Sequence, residues 1–244
     1  MKLLIDIGNS RLKWTLADAT TLANVQSLDY RLASNWEILA ADWQTLCEPE
    51  HILVASVAAS DCLNKLMSLF KPLWPNCPVH TVEVISSFAG VDIAYSNPRA
   101  LGVDRWLALL ATQHYYSGKN CIVDCGTAIT VDLLNTKGEH QGGLIVPGLQ
   151  LMRASLQSGT ADLPLASDTH LVLAADNTES AIACGGIWAA TGLIETVMRK
   201  SHSQQLVLTG GAARFLLDAL DRPAILDNGL VLRGMLLYAE HHHF

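Results

Sequence analysis

The sequence predicts an α/β protein made of two similar halves, each with a central mixed sheet flanked by helices. An apolar strand that ends in Asp-x-Gly and turns back into a second strand occurs twice, near residues 3–17 and 121–133. In each half a further apolar strand then leads into small residues and a helical stretch, at 52–56 and at 206–211. The 244 residues suffice for two cores of about 120 residues each. We therefore expect an N-terminal lobe at 1–117 and a C-terminal lobe at 118–244.

The first hairpin has a turn that is suited to bind an anion. Leu3-Leu4-Ile5 is an apolar run typical of a buried strand, and apolar and polar residues alternate from Leu12 onward. A turn rich in Gly, Asn and Ser exposes backbone N–H groups that attract anions, most often phosphate. Asp6 and Lys13 flank the turn with one carboxylate and one ammonium, which suit a hydrated Mg²⁺ and a phosphate oxygen. Taken alone, the pattern also fits an ordinary hairpin with solvated Asp and Lys.

The second hairpin favours the phosphate interpretation. Asp124-Cys-Gly-Thr127 repeats the plan, and Asp6 and Asp124 lie 118 positions apart (124 minus 6), about half the chain. A duplicated domain in which each half opens with such a hairpin fits one nucleotide held by both halves. This is the plan of the actin, hexokinase and Hsp70 superfamily, whose lobes are ribonuclease-H-like.

Chemically active residue types also concentrate at 95–106. Asn97-Pro98 is a helix-entry signal, with Asn as the cap and Pro in the first turn. Gly102 interrupts the helical pattern, so we expect Asp104 and Arg105 in the first turn of a new helix. An Asp in that position is also a common structural choice, because it complements the helix dipole.

The rest of the second half offers three weaker signals. Gly142 to Gly148 allows close backbone approach and a tight turn, and Gly210-Gly211 would admit a flat base or a ribose. Thr178 opens a long apolar helix, where it could be only a cap or a flanking residue. The loop-like stretch 158–176 is a candidate lid or dimer contact. The remaining helices are expected at 34–47, 61–70, 107–116, 149–156 and 230–240, and the remaining strands at 79–84, 120–125 and 205–209.

Composition limits the class of protein. A net charge of −7 argues against a nucleic-acid-binding protein, which normally carries a basic face. No apolar run is expected to be long enough to span a membrane, and the N-terminus enters a strand rather than a signal peptide, so we expect a cytoplasmic protein. The six cysteines contain no C-x-x-C pair. They are predicted to be buried apolar residues rather than zinc ligands.

Four motifs together resemble the type III pantothenate kinase family over essentially the whole chain. They are Asp6-x-Gly-Asn-Ser-x-x-Lys13, Gly102-Val-Asp-Arg105, Asp124-x-Gly-Thr127 and the run from Gly142 to Gly148. The Gly-x-Asp-Arg element between two Asp-x-Gly hairpins is the diagnostic feature. Ser10 stands where Thr is frequent, a change that keeps the hydroxyl.

The resemblance implies a set of site residues. The ATP phosphates would be bound by Asp6, Ile7, Gly8, Asn9, Ser10, Arg11, Leu12, Lys13 and Thr127. Pantothenate would be bound by Tyr95, Gly102, Val103, Asp104, Arg105 and Thr178. Asp104 would accept the hydroxyl proton, and Asp124 would hold a monovalent cation, K⁺ or NH₄⁺. The resemblance also implies ATP and Mg²⁺ as cofactors and a homodimer.

The residues agree with this chemistry. Phosphorylation of a primary hydroxyl by ATP needs positioning, charge neutralisation and a base more than covalent catalysis. Asp104 can accept a proton, and Arg105 can hold a carboxylate or a phosphate oxygen. Two alternatives remain open: another small-molecule kinase or phosphatase of the superfamily, and a non-catalytic ATP-binding regulator that keeps the fold.

Overall fold

The computed structural model describes residues 1–159 and 171–244 and divides into two compact units. The first unit comprises residues 1–91, 95–114 and 229–244. The second comprises residues 92–94 and 115–228. Most of the candidate lid at 158–176 lies outside the described residues.

The elements alternate between strands and helices in both units. In the first half of the chain they are β1 (Lys2–Ile7), β2 (Leu12–Ala17), β3 (Gln26–Leu28), α1 (Ala33–Gln44), β4 (His51–Ser56), α2 (Ser60–Leu73), β5 (Val79–Thr81), β6 (Ser87–Phe88), β7 (Val91–Asp92), a 3₁₀ turn (Pro98–Ala100) and α3 (Val103–Tyr115). In the second half they are β8 (Asn120–Cys125), β9 (Ala128–Leu134), β10 (His140–Pro147), α4 (Leu149–Gly159), α5 (Thr178–Ser201), β11 (Gln205–Thr209), α6 (Ala213–Leu217), β12 (Ile225–Leu226) and α7 (Leu230–His241).

The first unit is built on a five-stranded mixed sheet in the order β3-β2-β1-β4-β5. β1 pairs antiparallel with β2 and parallel with β4. Leu3, Ile5 and Ile7 of β1 belong to a buried cluster with side chains of α1 and α2. Leu4 is equally buried and, by the alternation of a strand, points to the opposite face. Both faces of β1 are therefore covered, which fixes the end of the strand where the Asp6 turn begins.

The second unit repeats this topology strand for strand. Its sheet has the order β10-β9-β8-β11-β12, with β8 antiparallel to β9 and parallel to β11. Its core packs the α5 face that carries Ile187 and Ile194 against β8, β9 and β11. The predicted α/β fold with two duplicated ribonuclease-H-like lobes and mixed sheets is confirmed.

One segment divides differently from the sequence-based boundary at 117/118. The C-terminal segment Gly229–Phe244 clusters with the first unit rather than with the second. The reason is that α7 is apolar and contacts β1, β2 and β4 of the first sheet. The pattern of α7 alone does not reveal which of two similar sheets it covers.

Two further expectations need correction. The described part of the chain contains one helix, α5, that is long and apolar enough to cross a membrane by length and composition. This is weak evidence, because the core helix of a soluble protein passes the same test, and one face of α5 is buried in the second unit. The cysteine prediction is confirmed for Cys62, Cys121, Cys125 and Cys184, whereas Cys47 is exposed and Cys77 is half-buried. Burial raises the pKa of the Cys121 thiol to about 12, so it stays neutral.

Candidate active site

The first hairpin presents a closed turn beside a buried carboxylate. Asp6 is 6% exposed and lies opposite Lys13 in the antiparallel pairing of β1 and β2. The turn is closed by a hydrogen bond of 3.0 Å from the Gly8 N–H to the Arg11 carbonyl. The hydroxyl of Tyr30 donates to the Gly8 carbonyl at 2.8 Å. A carboxylate with little access to water needs a cation or donors nearby, and Lys13 is the cation that the register supplies.

Some residues of the turn have their side chains engaged elsewhere. Ile7 and Leu12 are fully buried in the core of the first unit. Only their backbone atoms could therefore contact a nucleotide. The Arg11 guanidinium donates to the Ser27 hydroxyl of β3 at 2.9 Å, which directs this side chain along the sheet. Asn9 is exposed and Ser10 is half-buried at the tip of the turn.

Asp104 lies in the first turn of the long helix α3, as the sequence predicted. Asn97 accepts from the Arg99 N–H at 3.2 Å and caps the 3₁₀ turn, and α3 starts directly after Gly102. One oxygen of Asp104 accepts from the Arg105 N–H at 2.8 Å. The same oxygen lies only 2.6 Å from the point where a Cβ on Gly102 would stand. The missing side chain of Gly102 thus leaves the space that the Asp104 carboxylate occupies.

Arg105 and Tyr95 form a pair next to this carboxylate in the sequence. Arg105 is 7% exposed, and its guanidinium donates to the Tyr95 hydroxyl at 3.2 Å. The guanidinium carbon also lies 5.8 Å from the centroid of the Tyr95 ring. A buried arginine held in this way keeps a fixed orientation, which suits recognition of an anionic or polar group.

A cavity of about 400 Å³ lies in the first unit beside Gly102. Its walls come from the end of β4 and the residue after it (56–57), the segment after β5 (82–84) and the segment before and into α3 (99–103). Val57 Cγ1 lies 3.7 Å from the same Cβ point on Gly102 that the Asp104 oxygen approaches. The volume falls within the range of small-molecule sites. Sequence reasoning identified Gly102 and Val103 but missed the residues from 56–57 and 82–84, which belong to distant segments.

In the second unit, Asp124 occupies the position that Asp6 has in the first. It is the penultimate residue of β8 and pairs with Thr130 of β9 and Thr209 of β11. Its carboxylate oxygen lies 2.4 Å from the Cβ point of Gly210 and 3.5 Å from that of Gly126. The missing side chain of Gly210 thus makes room for this carboxylate, whereas the distance from Gly126 is an ordinary contact distance. Gly210 is therefore explained by the packing of β11 against Asp124 and Cys125, whereas a Cβ on Gly211 would meet no atom of the described residues within 4 Å.

The turn of the second hairpin is supported by the Pro-Gly motif. The Gly148 N–H donates to the Thr127 carbonyl at 2.9 Å. A Cβ on Gly148 would stand 2.3 Å from the Gly126 carbonyl oxygen. The close approach predicted for the 142–148 run is therefore present at Gly148. Thr127 itself is exposed at the tip of this turn.

Thr178 is the first residue of α5 but is not its cap. The cap is Asn177, whose side-chain oxygen accepts from the Ser180 N–H at 2.9 Å. Thr178 is exposed, and its hydroxyl makes no hydrogen bond to another described residue. Of the two structural alternatives for this threonine, cap and flanking residue, the structure shows the flanking residue, and its role as a ligand contact stays a prediction.

A buried pair in the second unit was missed by sequence reasoning. The imidazole of His140 lies 2.9 Å from the Asp132 carboxylate, and both side chains are almost fully buried. The other ring nitrogen accepts from the Ala94 N–H at 3.4 Å. Because that nitrogen accepts, the ring proton lies on the nitrogen that faces Asp132. The pair holds residues 92–94, the segment that precedes Tyr95.

Comparison with known proteins decides the family. A family model for type III pantothenate kinase matches residues 2–200. A type III pantothenate kinase of Nitrosococcus oceani is 34% identical, covering 98% of this chain and 94% of its own length. One from Burkholderia mallei is 36% identical, covering 98% of this chain and 99% of its own length. This chain belongs to the type III pantothenate kinase family.

Solved structures agree with the fold of this pantothenate kinase family member. A candidate Baf family transcriptional activator from Campylobacter jejuni matches with a TM-score of 0.62 at 24% identity, covering 99% of this chain and 98% of its own. The activator of 2-hydroxyisocaproyl-CoA dehydratase from Clostridium difficile, with bound ADPNP, matches with a TM-score of 0.56 at 11% identity, covering 99% and 94%. At these identities the likeness shows the fold alone.

Membership of the family makes the protein a phosphotransferase that uses ATP and a divalent metal ion. The residues present fit these groups. The described residues contain no cluster of three or more His, Cys, Asp or Glu side chains able to hold a metal alone. Mg²⁺ in kinases is usually held by one or two carboxylates together with substrate phosphates, so a single buried carboxylate such as Asp6 is compatible with it.

Proposed function

We propose that this protein transfers the γ-phosphoryl group of ATP to pantothenate, giving 4'-phosphopantothenate in the first step of coenzyme A biosynthesis. Family membership supports the substrate. The structural observation that carries the proposal is the position of Asp104. Its carboxylate lies at Gly102, on the edge of a cavity large enough for a small molecule, at the start of a rigid helix.

Asp104 is the proposed general base. Transfer of a phosphoryl group to an alcohol needs an acceptor for the hydroxyl proton, and a positioned carboxylate is a common one. Tyr95, Gly102, Val103, Arg105 and Thr178 are the proposed pantothenate contacts. The paired Arg105 and Tyr95 supply fixed polar groups to orient the substrate.

Asp6 to Lys13 and Thr127 are the proposed contacts of ATP. Lys13 offers an ammonium to phosphate oxygens, and the turn after β1 offers backbone N–H groups. Asp6 would hold the hydrated Mg²⁺, which supplies neutralisation of the phosphate charge. Asp124 is the proposed ligand of a monovalent cation, K⁺ or NH₄⁺, because its carboxylate lies at a strand end beside Gly210.

We also infer a homodimer and a cytoplasmic location, where ATP is available to a metabolic kinase. The dimer is supported by α5, whose face opposite the core carries small and apolar residues. Those classed as exposed are Ala181, Gly185, Trp188, Ala189 and Gly192.

Two other functions are distinguished from this one by the experiment described below. The structural match to a candidate transcriptional activator leaves open a regulator that keeps the fold, and the shared superfamily fold leaves open another small-molecule kinase. Asp6, Lys13, Asp104, Asp124 and Thr127 are all present, which favours a catalyst over a regulator.

The experiment measures ADP release from ATP and Mg²⁺ with a panel of hydroxyl acceptors that includes pantothenate and several sugars, for the wild type and for Asp104→Asn. The wild type is expected to use pantothenate. The variant should lose at least ~10²-fold in kcat, as expected for a lost general base, while its melting temperature and ATP binding stay close to wild type. A dipole role alone would be worth only about 0.3–1 kcal/mol and would appear in stability. A variant that keeps more than about a tenth of wild-type kcat would remove Asp104 as the base.

A further inference from the structure

We propose that Arg99 binds the carboxylate of the acceptor substrate in the cavity of the first unit and thereby makes the enzyme select an acid over its uncharged analogue. The proposal rests on the proposed function, because it names the part of pantothenate that the cavity holds.

The reacting end of the substrate can be placed relative to the cavity through Asp104. Gly102 lines the cavity, and an oxygen of Asp104 lies 2.6 Å from its Cβ point. Val57, which also lines the cavity, approaches the same point within 3.7 Å. A hydroxyl group that gives its proton to Asp104 therefore lies at the edge of this cavity. The rest of the acceptor molecule can then extend into it.

The cavity is lined mostly by apolar residues and by two charged ones. Among the ten described residues that line it, only Arg99 and Glu83 carry a formal charge, and six of the others are Val, Leu or Ala. Both charged side chains are exposed, and neither forms an ion pair with another residue in the described ranges. Pantothenate has a dimethyl-substituted carbon next to the hydroxymethyl group that is phosphorylated, a hydroxyl and an amide in its middle, and one carboxylate at the opposite end. The apolar walls suit the dimethyl group and the methylene groups, and Arg99 is the group that attracts the carboxylate while Glu83 repels it.

Arg99 and Arg105 differ in how their side chains are held. Arg105 is buried, adjoins Asp104 in the chain and already donates to the Tyr95 hydroxyl. Its guanidinium is thus held by a protein partner beside the residue that would receive the hydroxyl proton. Arg99 lies five positions earlier, in the 3₁₀ turn whose cap is Asn97, so its backbone is fixed while its side chain can close on a ligand. A planar guanidinium can bind a carboxylate through two parallel hydrogen bonds, which gives selectivity as well as attraction.

The test compares two acceptors that differ only at the relevant end. Pantothenate carries the carboxylate, and panthenol carries a hydroxymethyl group in its place. We would measure kcat and KM for both acceptors with the wild type, Arg99→Ala and Arg99→Lys. Glu83→Gln is the matched control, because it removes the other charge of the same cavity. Arg99 and Glu83 are both exposed, so the variants are expected to fold.

We expect Arg99→Ala to lower the kcat/KM of pantothenate by roughly 10- to 100-fold, mainly through KM, as for a lost hydrogen bond to a charged group. The kcat/KM of panthenol should change less than about twofold, so that the preference for the acid is lost. Arg99→Lys should keep part of the preference, and Glu83→Gln should leave it unchanged or increase it. Equal loss on both acceptors, or an unchanged preference, would overturn the role of Arg99 while leaving the kinase function standing. A wild type that phosphorylates neither acceptor would instead overturn the proposed function and this inference with it.

Discussion

An oxygen of Asp124 lies so close to the point where a Cβ on Gly210 would stand that a side chain at residue 210 would crowd this carboxylate. Asp124 is half-buried at the penultimate position of β8, and its carboxylate is the candidate ligand of a cation. A cation there would offset the negative charge of bound phosphates. The proposed K⁺ site therefore depends on Asp124.

We predict that K⁺ or NH₄⁺ activates the enzyme through Asp124. Rates should be measured in K⁺ chloride and in tetramethylammonium chloride at equal ionic strength, so that general screening is the same. The wild type should be faster in K⁺, and Asp124→Ala should be slow at every K⁺ concentration. Equal wild-type rates in the two salts would contradict the prediction.

The two glycines at 210 and 211 should respond differently to the same substitution. Gly210→Ala places a Cβ 2.4 Å from the Asp124 oxygen at a residue with φ of +91°. We expect it to destabilise the protein by about 1–3 kcal/mol through overpacking and backbone strain. Gly211→Ala is the control, because its Cβ meets nothing within 4 Å, and it should stay within about 0.5 kcal/mol of wild type. Thermal unfolding followed by circular dichroism would measure both, and similar losses in the two variants would contradict the packing role assigned to Gly210.

At the scale of elements, periodicity predicted the central strands and most helices. β8 and β11 lie where the apolar runs indicated, and α7 begins at the predicted residue. α3 begins at Val103 and so includes Asp104 and Arg105 in its first turn, as the break at Gly102 indicated, ahead of the helical run from 107. The residue at which such a helix starts depends on contacts of its side chains, which the pattern of apolar residues alone does not show.

The site was predictable where it depended on short motifs and not where it depended on pairing between strands. Asp6, Gly102, Asp104 and Asp124 were found because each lies in a contiguous motif at a turn or helix start. Asp132 and His140 were missed because they meet across β9 and β10, next to an irregularity in the pairing between His140 and Gly143. The cavity walls were missed for the same reason, since three segments far apart in the chain form them.

The end of α7 carries a cluster of rings that should make stability depend on pH. The His80 ring stacks on Phe244 with centroids 3.8 Å apart, and its Nε2 lies 3.1 Å from His51 Nδ1. Burial lowers the pKa of His80 below its usual 6.5, and the nearby His51 and His242 act in the same direction. The unfolded chain therefore takes up a proton at this histidine at a higher pH than the folded protein does.

We predict that thermal stability falls as the pH decreases below about 6.5, the pKa of His80 in the unfolded chain. This stability is fully present above that pH, and its loss should be complete once the pH lies below the folded pKa. His80→Gln should flatten the pH dependence of the melting temperature between pH 7.5 and 5. His243→Gln, at an exposed residue of the same segment, should leave it unchanged. A wild-type slope that survives in His80→Gln would assign the effect to other histidines.

At the scale of the whole molecule, the unused surface of α5 is the feature that most needs a partner. The helix has 24 residues, and one of its faces is packed in the second unit. The opposite face carries Gly185 and Gly192, where an added Cβ would meet no atom of residues 1–159 or 171–244 within 4 Å, and Trp188 is 37% exposed between them. Glycine inside an exposed helix costs roughly 1 kcal/mol relative to alanine. Two glycines on one open face therefore suit close contact with another helix, and a second copy of this chain would bring the same face.

We predict a homodimer that uses this face of α5. Light scattering at micromolar concentration should give about 53 kDa, twice the chain mass of 26.4 kDa. Ala189→Arg places a charge in the middle of the face and should give a folded species near the chain mass, because an unpaired charge is costly to bury in an interface. Arg199→Glu, at an exposed residue near the end of the same helix, is the matched control and should remain dimeric. A wild-type mass near 26 kDa would exclude the dimer. A dimeric Ala189→Arg would keep the dimer but move the interface away from α5.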